Sequence, residues 1–120
     1  MIKGFFHGNL AYINLDVSWG TTSLEETFLI DTGFAGGIMI SPILAAQLAL
    51  DITETRNVRL ADNSVANMMA ASAVINIEGE FNLIEVFISD GLPIVGMDFF
   101  ILFGYKLIVD CKERRVTLEK

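Results

Sequence analysis

From Ala11 to Ser18 the chain alternates, with Ala11, Ile13, Leu15 and Val17 on one side and Tyr12, Asn14, Asp16 and Ser18 on the other. A period of two puts alternate side chains on opposite faces of an extended backbone, so this segment reads as a half-buried strand. Further strand-like runs come in pairs around turn-forming residues. Val58–Ala61 and Val65–Met69 flank Asp62-Asn63-Ser64, Ala73–Ile77 and Phe81–Ser89 flank Glu78-Gly79-Glu80, and Lys106–Asp110 and Arg115–Glu119 flank Cys111–Arg114. Each pair predicts a hairpin. Glu26–Asp31 is a short, largely apolar run that ends in Asp-Thr-Gly. Two short helices interrupt the strands. Ser41 is an N-cap before Pro42, and good helix formers continue through Ile43–Leu50. Met97–Phe103 carries Asp98 in its first turn and Gly104 as its C-terminal cap. The pattern predicts a mostly β fold, a small barrel or sandwich.

The 120 residues suit one domain, 1–120, and no Pro/Ser-rich linker or low-complexity tract divides them. Hydrophobic residues make up 52% against 19% charged, with a mean hydropathy of +0.53. That excludes a disordered tail and predicts surplus apolar surface of the kind an oligomer interface covers. The uncharged stretch Thr32–Leu50 is nominally long enough to span a bilayer, but it holds Gly33, Gly36, Gly37 and Pro42 between Asp31 and Asp51. A spanning helix could not satisfy that backbone, so no membrane partner is expected. Met1–His7 has no sustained apolar core followed by a small-residue cleavage site, which predicts a cytoplasmic protein without a signal peptide. Eight Lys and Arg against 15 Asp and Glu, a net charge of −7, argue against nucleic acid, which needs a basic stripe.

Elimination narrows the chemistry. With one histidine, His7, and one cysteine, Cys111, the chain cannot build a four-ligand His/Cys metal site or an intrachain disulfide, and a Ser-His-Asp or Cys-His arrangement would have to use those same two residues, which no nucleophile elbow accompanies. No metal or cofactor is expected. Gly33–Gly37 lacks the spacing and the Lys-Ser/Thr ending of a phosphate loop. What remains is Asp31, at the end of Phe28-Leu29-Ile30 and before Thr32-Gly33. A carboxylate ending a buried strand is costly, because desolvation opposes its charge. Two readings stay open on these residues alone: a functional acid, or a turn cap, since Asp-Thr-Gly is a good turn sequence. A faint internal repeat relates Ile13-Asn14-Leu15 and the run into Asp31-Thr32-Gly33 to Ile75-Asn76-Ile77 and the run into Ile94-Val95-Gly96.

Phe28–Gly33 resembles the catalytic motif of aspartic proteases, and Ile94-Val95-Gly96 leading into Met97-Asp98-Phe99-Phe100 is similar to their second signature. One copy of Asp-Thr-Gly and the separation of the two motifs look like the retropepsin-like (retroviral-type) branch, with Asp62-Asn63-Ser64 where that family carries its flap. The similarity runs from Ala11 to about Asp110, and is greatest to short bacterial and archaeal members with Asp-Thr-Gly-Phe. Phe34 stands where the family usually has Ala or Ser, the flap turn lacks a glycine-rich sequence, and Cys111–Lys120 continues past the usual ending.

The resemblance implies a small closed β-barrel acting as a symmetric homodimer that cuts peptide or protein substrates. In that family two aspartates about 3 Å apart share one proton and activate a water between them. Asp31 would be the catalytic acid of each copy. Thr32, Gly33 and Phe34 would support its loop, Ala61, Asp62, Asn63 and Ser64 would close over the substrate, and Ile94, Val95 and Gly96 would pack behind. Two alternatives stand beside this: an inactive binding or assembly module in which Phe34 fills the cleft, and a structural β dimer in which Asp31 only caps a turn.

Overall fold

A computed structural model describes residues 1–60 and 62–120. Eleven strands and two helices follow in order: β1 (Ile2–Lys3), β2 (Phe5–His7), β3 (Leu10–Trp19), β4 (Thr22–Ile30), β5 (Ile38–Ile40), α1 (Pro42–Gln47), β6 (Glu54–Arg59), β7 (Val65–Ile77), β8 (Glu80–Ile88), β9 (Ile94–Val95), α2 (Met97–Phe103), β10 (Lys106–Asp110) and β11 (Arg115–Glu119). The fold is mostly β. No helix among the described residues is long and apolar enough to cross a membrane.

The alternation of Ala11–Ser18 becomes β3, whose Ile13, Leu15 and Val17 lie in the main core with Phe28 of β4. Strand β3 pairs antiparallel with β2 and β4, and its Asp16–Ser18 also pair with Val74–Asn76 of β7. The eight-stranded sheet runs β2-β3-β4-β9-β5-β8-β7-β6, so the pairing path that leaves β3 through β4 returns to it through β7. A separate three-stranded sheet, β1-β11-β10, joins the two ends of the chain.

Several expectations change, among them the strand expected over Val58–Ala61, which is β6 over Glu54–Arg59 and ends before Leu60. A strand break between Met69 and Ala73 does not occur; β7 runs unbroken over Val65–Ile77. Its Ala71, Ala73, Ile75 and Ile77 face the main core, whereas Met68 and Ala70 belong to a second cluster with Phe34, Met39, Val58 and Phe87. The strand uses opposite faces for two cores, so its buried positions change parity between Ala70 and Ala71. A single alternating stripe is the wrong template for such a strand. Helix α1 ends at Gln47 rather than Leu50, because Ala49 takes a left-handed φ of 54° and Leu50 N–H bonds back to Ala45 O at 3.1 Å. Leu48, still right-handed and one turn after Leu44, lies in the core with Leu44 and Ala45. Ser41 does cap this helix, its hydroxyl accepting Leu44 N–H, and α2 ends on left-handed Gly104. Strands β10 and β11 form the hairpin over the predicted residues. Ala61, expected in the flap turn, lies outside the described residues.

Candidate active site

Asp31 sits one residue beyond β4, where the backbone is held from the side by β9. Leu29 pairs with Ile94 and Ile30 with Val95 in parallel register. Leu29 N–H donates to Pro93 O at 2.8 Å and Asp31 N–H to Val95 O at 3.0 Å. On its other side β9 pairs antiparallel with Ile38 and Met39 of β5. The two short apolar motifs, distant in sequence, are therefore adjacent strands, and the chain must turn sharply where β4 ends. Gly33 N–H donates to Asp31 Oδ1 at 2.9 Å, and Phe34 N–H to Asp31 O at 3.1 Å. The carboxylate is half-buried and oriented by its own turn, an arrangement in which a short polar side chain substitutes for a backbone acceptor.

Phe34 leaves this turn inward. It is 2% exposed and meets Phe87 edge-on, with ring centroids 5.8 Å apart at 76°. Such an arrangement sets the positive ring edge against the negative face. Behind the loop, Gly96 N–H donates to Gly37 O at 2.8 Å and Met97 N–H to Phe34 O at 2.9 Å. A Cβ on Gly96 would stand 2.4 Å from Gly36 O and 2.5 Å from Phe34 O. Its φ of −111° suits any residue, so glycine is required here by space alone. Gly96→Ala is expected to cost about 1–3 kcal/mol, the usual range for overpacking, since the nearest atoms are backbone and cannot rotate away. Chemical denaturation at fixed protein concentration measures it; an unchanged midpoint would contradict the close approach.

Asp31, Phe34, Met39, Leu60, Asp62 and Ile94 line one cleft of about 290 Å³. Of the residues singled out in the sequence, Asp31, Phe34, Asp62 and Ile94 thus come together, with Val95 and Gly96 buried behind them. Thr32 faces elsewhere, lining a neighbouring apolar groove of about 390 Å³ with Met97, Phe100, Ile101, Tyr105 and Leu107. Met39 and Leu60 were not singled out. Met39 belongs to the wholly buried run Ile38–Ile40, which carries no alternation to mark a lining position, and Leu60 belongs to the segment Leu60–Ser64 that resembles the family's flap strand but was not assigned a site role.

Asn63 and Ser64 are exposed and shape the hairpin turn between β6 and β7. Asn63 has a left-handed φ of 68°, donates its N–H to Leu60 O, and accepts Arg59 Nη1 at 2.6 Å. Ser64 donates both its N–H and its hydroxyl to Asp62 Oδ1, at 2.9 and 2.5 Å. Those bonds favour the ionised carboxylate, the hydroxyl most, and hold Asp62 below the usual carboxylate value. A depressed value means the turn's bonds are intact above the unfolded value and lost as pH falls through the folded one. Ser64→Ala is expected to move the Asp62 titration upward in an NMR pH series; an unmoved titration would contradict the hydroxyl bond.

No protein-family model matches the sequence, and no curated protein matches it. Among solved structures, the fold is similar to the crystal structure of a retropepsin-like aspartic protease from Rickettsia conorii. The two align with a TM-score of 0.62 at 21% identity over 98% of this chain and 87% of that one. The fold of this chain is that of a retropepsin-like aspartic protease.

Proposed function

We propose that the chain is an aspartic endopeptidase, active as a homodimer in the cytoplasm, with residues 1–120 as one closed-barrel domain of the short bacterial and archaeal kind. The observation that carries this reading is the place of Asp31: a carboxylate oriented by Gly33 N–H, at the edge of a largely apolar cleft beneath a hairpin turn, in a fold shared with a retropepsin-like protease. The chain has one Asp-Thr-Gly, so the second acid must come from a second copy, and a two-fold axis supplies it most simply.

The chemistry follows from two acids sharing one proton. The ionised Asp31 takes a proton from water as the water oxygen bonds to the scissile carbonyl carbon. The protonated Asp31 of the other copy gives its proton to the carbonyl oxygen. The resulting gem-diol collapses as one carboxyl group protonates the leaving nitrogen and the other removes a diol proton, and the C–N bond breaks. No acyl-enzyme forms. In this reading Thr32 and Gly33 support the loop, and Ala61, Asp62, Asn63 and Ser64 lie over an extended peptide. Val95 and Gly96 hold the loop from behind, while Ile94 and Phe34 form part of the cleft wall.

The hydrogen bond from Gly33 N–H to Asp31 Oδ1 also favours a second reading, in which Asp31 only caps the turn of a structural dimer. Incubating the protein with denatured protein substrates from pH 3 to 8, beside Asp31→Asn, separates the two. Cleavage that falls away at both ends of the pH range and is lost in the variant supports the peptidase. Cleavage surviving in the variant, or none in either protein when both are dimers, overturns it.

A further inference from the structure

We propose that Asp62 selects a basic side chain, lysine or arginine, in the peptide near the scissile bond. The inference rests on the peptidase reading above and deepens it by naming a class of substrate.

The cleft that holds Asp31 has a lining of two kinds. Phe34, Met39, Leu60 and Ile94 are apolar, and Leu60 and Ile94 pack against the smaller core beneath them. The polar members are two carboxylates, Asp31 and Asp62. No lysine or arginine lines the cleft, and among the described residues none is ion-paired with Asp62. The basic residue closest to it in the chain, Arg59, donates instead to Asn63 Oδ1. Both donors of Ser64 go to Asp62 Oδ1, so neither engages Oδ2. The result is an ionised group without a counter-charge at the mouth of an apolar hollow.

A side chain that matches such a hollow is apolar along its length and cationic at its tip. Lysine and arginine have this form: their stems lie along apolar surface while the charged head stays at the polar rim. The stem has Leu60 and Ile94 to lie against, and the head has Asp62 Oδ2. Leu60 and Asp62 belong to one short turn, closed by Leu60 N–H donating to Ser64 O at 2.9 Å, so the two contacts are held at a fixed spacing. In the peptidase reading Asp31 is engaged by the water and the scissile carbonyl, which leaves the positive charge to Asp62. An acidic side chain would be repelled there, and an apolar one would shield Asp62 from water without giving it a partner. The net charge of −7 draws any cationic peptide towards the chain, but it does not choose between positions along that peptide. The turn does.

The test compares lysine with norleucine, which has a similar stem and no charge. A sequence cleaved in a denatured protein substrate is remade as a peptide series with either residue at each position flanking the scissile bond. At one such position lysine is expected to raise kcat/KM about tenfold over norleucine, the value of a hydrogen bond to a charged group that a bound peptide takes out of water. Asp62→Asn keeps an oxygen for Ser64 and is expected to erase that ratio, while Asp62→Lys is expected to favour glutamate at the same position. The ratio is taken within each protein, so a change in folding or overall rate cancels. Glu113→Gln, which removes the same charge outside the cleft, is expected to leave it unchanged. If the chain cleaves both peptides equally at every position, or keeps its preference in Asp62→Asn, the role of Asp62 is overturned and the peptidase reading stands. If the chain cleaves nothing, the peptidase reading is overturned, and binding of a labelled apolar heptapeptide with central lysine or norleucine decides this one: equal affinities overturn it, and tighter binding of the lysine peptide that is lost in Asp62→Asn supports it.

Discussion

Replacing Asp31 by Asn is expected to abolish peptide hydrolysis while leaving the fold and the dimer intact. Asn keeps a side-chain oxygen where Asp31 Oδ1 accepts Gly33 N–H, and the backbone bonds to Val95 and Phe34 do not involve the carboxylate. The turn therefore persists. What Asn cannot do is accept a proton from water at one step and return it at the next. Positioned acid–base groups contribute about 10²–10⁴-fold to rate, and both copies lose theirs, so the loss is expected to be at least of that order. Initial rates on a denatured protein substrate, with sedimentation of the same samples, measure it. A variant that retains most of the rate would leave Asp31 as a turn cap and nothing more. Because the substitution spares the turn, loss of activity here is a statement about chemistry, which a bulkier replacement would not allow.

The second large effect is on stability. Phe34→Ala is expected to cost about 3–5 kcal/mol, the range for emptying a buried aromatic site. That is a large part of the roughly 5–15 kcal/mol that holds a domain of this kind together. The ring at 2% exposure packs with Met39, Val58, Met68 and Phe87 in the smaller core, which lies under the β6–β7 hairpin. Removing it takes away both the filling of that core and part of the cleft wall. Phe34→Ser, which installs the residue common in the resembled family, is expected to cost at least as much, because the hydroxyl adds a polar group to an apolar site. Urea denaturation at one protomer concentration measures both, with the midpoint moving and the slope unchanged. A loss below about 1 kcal/mol would mean that the ring is not packed. The departure at this position thus has a structural place: Phe34 anchors its loop in a core that Ser or Ala would leave underfilled.

The hairpin of β10 and β11, the caps Ser41 and Gly104, and the buried face of β3 were legible in the sequence, since each depends on residues within a few positions of one another. The long strand β7 was not. Val65–Met69 and Ala73–Ile77 were expected as arms of two separate hairpins, yet β6, β8 and β3 pair along one continuous strand and two cores use its opposite faces. The site divided in the same way. Asp31 stood out because a carboxylate at the end of an apolar run is costly wherever it falls. Met39, from a run buried on all sides, and Leu60, beside the hairpin turn, reach the cleft only because β5 and that hairpin converge on it.

Local chemistry by itself determined that this chain is mostly β, where most of its turns and caps fall, and which carboxylate stands apart. Those properties follow from side-chain period, backbone preference and the cost of burying charge, all set over short stretches of chain. Only the tertiary structure decided that β9 lies beside β4, that Phe34 turns into a second core, that Thr32 and Asp31 line different hollows, and that β10 pairs with β11 alone among the described residues. These depend on contacts between residues far apart in the chain, where packing and strand pairing choose among conformations that the local sequence leaves nearly equal.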